Sequence, residues 1–215
     1  MIEQIRIVCR KEWKNFTGSH KGVFAVYALM ALVYALVFVS NRELDRQTQT
    51  VVWWVFFSLI ITGSSSNTVF VAERVNGSLE ILLTCGLSRG AILAGKVLFV
   101  VLISLLIGMV PFTISTGWAL AGTGVAGADF AGPLLFAAAT FMNASSAAWL
   151  SVRLTNPRLL HFVNLIIVSA ALGVGAAAGA GAGMLALGLA VTGALFFGLA
   201  RRAFAGERVV QPVNL

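Results

Sequence analysis

VLFVVLISLLIGMVPFTISTGWAL (residues 97–120) contains no Asp, Glu, Lys or Arg. A helix rises 1.5 Å per residue and the hydrocarbon core of a bilayer is ~30 Å thick, so about 20 mainly apolar residues cross it. This run is long enough to span, with Pro111 as an expected interruption.

The same signal recurs along the rest of the chain. Spans are expected at about 22–40, 51–71, 97–120, 132–150, 162–179 and 184–200, none holding an acidic or basic residue. The polar segment NRELDRQTQT (41–50) separates the first two, and RLTNPRLLH (153–161) separates the fourth from the fifth. Trp53 and Trp54 fall near the outer end of the second span, where aromatic belts lie. Residues 162–200 are too long for one span and just enough for two. The run GVGAAAGAGAG (173–183) is expected to hold the turn between them, at Gly179 and Gly183, with Gly175 packing helices closely.

Composition agrees. The 215 residues are 59% hydrophobic and 11% charged, against about 25% charged in an average soluble domain. Lipid must cover part of such a surface. The expected fold class is an all-α membrane protein of six transmembrane helices, a single transmembrane domain over 1–215. The first twenty residues are too charged for the apolar core of a secretory leader, so none is expected.

The basic residues give an orientation. With the N-terminus inside, the cytoplasmic segments hold 13 of the 15 Lys and Arg residues, and the outside segments hold Arg42 and Arg46. The positive-inside rule then places both termini in the cytoplasm, and the membrane expected is a bacterial-type inner (plasma) membrane. The net charge of +7 reads as topology, and no nucleic-acid partner is expected. Cys9 and Cys85 both fall on the cytoplasmic side, so no disulfide is expected, and their spacing suggests no metal site.

Residues 2–16 (IEQIRIVCRKEWKNF) place Ile2, Ile5, Cys9, Trp13 and Phe16 at spacings of three and four, with Arg6, Arg10, Lys11 and Lys14 between them. This pattern suits an interfacial amphipathic helix on the membrane.

Gly90-Ala-Ile-Leu-Ala-Gly95-Lys96 has the glycine–lysine spacing of a phosphate-binding loop, but Val97 stands where Ser or Thr would hold Mg²⁺. No ATP or metal is expected on this chain. Ser64, Ser65, Ser66 and His161 form no recognisable nucleophile–base pair, and small polar residues ordinarily pack membrane helices. No catalytic site is expected. Ser58, Thr62, Ser104, Thr113, Ser115, Thr116, Thr140, Asn143, Ser145, Ser146, Asn164 and Ser169 either line a polar path or bond helices together.

The most informative stretch is ERVNGSLEILLTCGLSRGAILAGK (residues 73–96). Asn76 or Gly77 can begin a short helix, with Ser78 and Glu80 near its positive dipole end. Leu79, Leu82 and Leu83 make an apolar face. Gly86 suits a left-handed C-cap, and Ser88 suits the N-cap of the next helix. Such a helix can lie in the lipid interface or dock into a groove of a cytoplasmic partner. The physics leaves both open.

The pattern Glu73…Asn76-Gly77-Ser78-Leu79-Glu80…Leu82-Leu83…Gly86-Leu87-Ser88…Gly95-Lys96 resembles the signature of ABC-2 type transporter permeases. Arg10-Lys11-Glu12 resembles the R-K-E of that family's N-terminal helix. The resemblance implies a permease subunit that pairs with itself or a similar permease and binds two separate ABC ATPase subunits carrying ATP and Mg²⁺. It implies a coupling helix between the second and third spans, seated in the ATPase. Its contact residues would be Glu73, Gly77, Ser78, Leu79, Glu80, Leu82, Leu83, Gly86, Leu87 and Ser88. The activity implied is ATP-driven movement of a substrate, with a lipid-linked or apolar one compatible with the uncharged spans. The alternatives are an ATP-driven machine that assembles or releases a membrane or periplasmic partner, and a channel or carrier without an ATPase. Two features depart from the family pattern: the short hairpin between spans five and six, and Cys85-Gly86 where Ser-Pro is frequent.

Overall fold

The computed structural model describes residues 1–19, 22, 25–27, 29–33, 46–71, 82–123, 131–154, 157–177 and 179–205. Its elements are α1 (Ile2–Ser19), α2 (Arg46–Ser66, continued by a π-helical turn over Asn67–Val71), α3 (Arg89–Thr123), α4 (Ala131–Arg153), α5 (Pro157–Ala177) and α6 (Ala182–Ala205). Residues 25–27 and 29–33 are also helical, and no strand occurs among the described residues.

Among the described residues, three stretches are long and apolar enough to cross a membrane, Arg89–Ile114, Gly132–Arg153 and Ala182–Phe204, with a shorter apolar helix at Phe162–Gly175. Most of the expected first span lies outside the described residues. The expected break at Pro111 does not occur, because α3 runs unbroken through it. Membrane helices tolerate proline when the protein around them re-satisfies the freed backbone groups, and Pro111 is buried.

Local chemistry sets the helix ends. Gly86 takes φ +72° and Gly179 φ +64°, the left-handed conformation that glycine adopts without strain. At Gly179 the Ala180 N–H donates to the Gly175 carbonyl at 3.0 Å, which closes α5 as a Schellman motif. Gly183 lies inside α6 rather than in the turn. Gly175 serves packing, since a Cβ there would overlap the Leu185 side chain.

α4 is the centre of the bundle. Of its membrane window 83% is buried, against 22% for α6. Small residues let neighbours approach. Gly132 of α4 lies against the Trp54 indole, and Gly108 of α3 against the Phe136 ring. Phe136 also meets Trp54 of α2 edge-on and Phe57 of α2 at a tilt, at centroid distances of 5.6 and 5.7 Å. Gly193 brings α6 onto Phe141 and the backbone of Met142. Hydroxyls and amides bind the same helices. The Asn143 amide donates to Ser58 Oγ at 3.1 Å, the Thr140 hydroxyl donates to it at 3.3 Å, and the Ser146 hydroxyl bonds Asn164 of α5. These members of the polar set therefore act as helix-to-helix bonds. Met184, Leu187, Val191, Leu195 and Leu199 leave an apolar stripe exposed along α6, a surface suited to lipid.

Candidate functional site

α3 has 35 residues, about 52 Å of helix at 1.5 Å per residue. That exceeds a ~30 Å hydrocarbon core by several turns. Its first third is where α1 docks. The Ser88 hydroxyl donates to Gln4 Oε1 at 3.0 Å, the Cys9 thiol to the Gly95 carbonyl at 3.2 Å, and Lys96 Nζ to Glu12 Oε1 at 3.2 Å. Farther along, Trp13 and Phe16 meet Phe99 edge-on at 6.5 and 6.0 Å. The sequence offset stays near 84–86 at the three polar contacts. The two helices therefore run side by side in the same direction.

The face α1 presents follows from its periodicity. Val8, Glu12 and Phe16 are buried, while Arg6, Arg10 and Lys14 are exposed on the far side. Gly95 makes the close approach possible. A Cβ at that position would lie 2.7 Å from Val8 Cβ and 3.2 Å from the Ile5 carbonyl. The Cys9 thiol lies in this seam, and burial followed by the charge of Glu12 pushes its pKa up.

Among the described residues, the charged side chains that are buried are Glu12 and Lys96, 2% and 1% exposed. Lys96 Nζ also donates to the Val69 carbonyl at 2.9 Å. Val69 lies in the π-helical turn that ends α2, where wider hydrogen-bond spacing and the helix's negative end leave carbonyls that attract a cation. Lys96 thus touches α1 and α2 from its place on α3. Breaking a buried pair by removing one partner ordinarily costs about 3–5 kcal/mol, because the other charge stays buried. Gly90 to Lys96 all lie inside α3, so these residues do not form the loop that cradles a nucleotide.

Of the residues expected to contact an ATPase, Glu73, Gly77, Ser78, Leu79 and Glu80 lie outside the described residues. Residues 82–84 are helical, and Gly86 ends that turn with positive φ. Leu82, Leu83 and Leu87 are half-buried and pack against the main core, so part of that apolar face is covered by this chain. Thr84, Cys85 and Gly86 are exposed beside them. Ser88 caps α3, its Oγ accepting the Ala91 N–H at 3.3 Å while its carbonyl accepts from Ala91 and Ile92. The Ser88–Gln4 bond puts this turn next to the start of α1.

In the sequence the two halves of the junction, Glu12 in Arg10-Lys11-Glu12 and Lys96 after Gly95, stand far apart and nothing local joins them. Their co-occurrence in one resemblance was the available signal.

The chain's sequence matches the profile of the ABC-2 type transporter family over residues 3–174, from α1 through most of α5. It therefore belongs to that family of membrane transport proteins and is an integral membrane permease. Searches of curated proteins and of solved structures returned no match.

Proposed function

We propose that this chain is the membrane-spanning subunit of an ABC-2 exporter, driven by ATP hydrolysis on a separate ATPase subunit. The reading has six spans and cytoplasmic termini in an inner membrane. Two permease chains, identical or similar, assemble with two ATPases. The observation that carries it is the exposed turn Thr84-Cys85-Gly86, held between α2 and α3 by a glycine cap and the Ser88 cap and tied to α1 through Gln4. A helix held so at its C-terminal end is suited to seat in a groove and pass on its movement.

The coupling contacts are Glu73, Gly77, Ser78, Leu79, Glu80, Leu82, Leu83, Gly86, Leu87 and Ser88. ATP and Mg²⁺ belong to the partner. A spanning region free of charge in its sequence favours an apolar or lipid-linked substrate.

The test is affinity purification of the permease from its native membranes. A co-purifying ATPase with a phosphate-binding loop and an ABC signature motif is expected. Cys85→Arg changes an exposed residue of the turn and should abolish that co-purification at unchanged permease expression. Recovery of the permease without any ATPase would refute the reading.

A further inference from the structure

We propose that Lys96 is a mechanical joint that fastens both α1 and the end of α2 to α3. Displacement of the segment linking α2 to α3 would then move the three elements together. The proposal rests on the coupling reading for its purpose, and on geometry for its existence.

Three observations carry it. Lys96 is 1% exposed and its ammonium reaches two other elements, Glu12 of α1 at 3.2 Å and the Val69 carbonyl at the end of α2 at 2.9 Å. The contact on α2 falls in a π-helical turn, a local widening found frequently at functional sites. The chain resumes at Leu82 with a helical turn that packs on the same core cluster as Val8, Val69, Phe70 and Val97. The described residues on either side of 72–81, Val69 and Phe70 before it and Leu82 after it, thus belong to one core cluster.

Simple packing would not need this arrangement. Well-packed apolar residues often serve stability as well as a buried ion pair does. A charge that bonds a carboxylate on one element and a backbone carbonyl on another supplies direction as well as adhesion. Lys96 and Glu12 act here as positioning residues.

The experiment uses the permease alone, in lipid nanodiscs, in a Cys85→Ser background. Two signals are read. The rate at which N-ethylmaleimide alkylates Cys9 reports separation of α1 from α3, because that thiol lies in their seam. Amide hydrogen exchange over 67–71 reports release of the α2 end. Lys96→Met is expected to raise both roughly tenfold or more. Glu12→Gln is expected to raise Cys9 alkylation and leave 67–71 near wild type, since Lys96 still holds Val69. The paired variant Glu12→Met/Lys96→Met removes both charges and is the safeguard if Lys96→Met alone does not fold. It is expected to return Cys9 to slow alkylation while 67–71 stays fast, because Val69 has lost its donor. The joint is overturned if Lys96→Met leaves 67–71 unchanged, or if the paired variant restores both signals. No ATPase is present, so the outcome is separate from whether the coupling reading stands.

Discussion

Glu12 and Lys96, 84 residues apart in sequence, form a buried ion pair with 3.2 Å between carboxylate oxygen and ammonium. It joins the amphipathic N-terminal helix to the base of α3, the longest helix among the described residues. Two motif fragments that look independent in the sequence thus form one structural unit.

Gly95 is the first place to test this unit. Gly95→Val puts a branched side chain against Val8 and the Ile5 carbonyl. Overpacking of this kind ordinarily costs about 1–3 kcal/mol. We expect a lower thermal midpoint in detergent and faster alkylation of Cys9. An unchanged midpoint would mean that α1 is not seated against α3 as described.

The Cys9 thiol gives a pH signature. Burial first, then the negative charge of Glu12, holds its pKa above the ordinary thiol value. The thiol stays protonated in the fold where an unfolded chain would already ionise. Its stabilising contribution is therefore complete below the unfolded pKa and is lost as pH rises through the folded one. Alkylation of Cys9 should climb with pH more slowly than that of a free cysteine. Glu12→Gln should shift the profile toward lower pH by removing the smaller of the two causes. A profile like free cysteine would contradict the seam.

Ser58 and Asn143 provide a measure of the α2–α4 contact. Single changes to Ala and the double change form a cycle, and interhelical hydrogen bonds of this kind in membranes couple by about 0.6 kcal/mol, reaching ~1.7. We expect a coupling in that range by reversible unfolding in detergent micelles. Strict additivity would mean that the Asn143–Ser58 bond contributes nothing.

Orientation can be read from single cysteines. In a Cys9→Ser background, native Cys85 should react with a membrane-impermeant maleimide from the cytoplasmic side alone. In a background lacking both cysteines, Gln47→Cys and Gly181→Cys, at the start of α2 and in the α5–α6 turn, should react from outside. Labelling of Cys85 and Gly181→Cys from one side would overturn the six-span arrangement.

The amino-acid order by itself determined what depends on a few neighbouring residues. Unbroken apolar runs made membrane helices the expectation. Gly86 and Ser88 marked a helix end and a helix start, and both act so, because a cap is settled within one turn of backbone. Gly179 marked its turn for the same reason, although Gly183 joined α6, since a glycine tolerates a helix when the next helix has already begun. Only the tertiary structure decided that α4 is the buried centre, that Gly95 must lack a side chain, and that Lys96 meets both Glu12 and Val69. Sequence spacing shows that Lys96 and Glu12 can each face a partner. Which partner they meet depends on how two helices dock, and that is set jointly by every side chain along their seam.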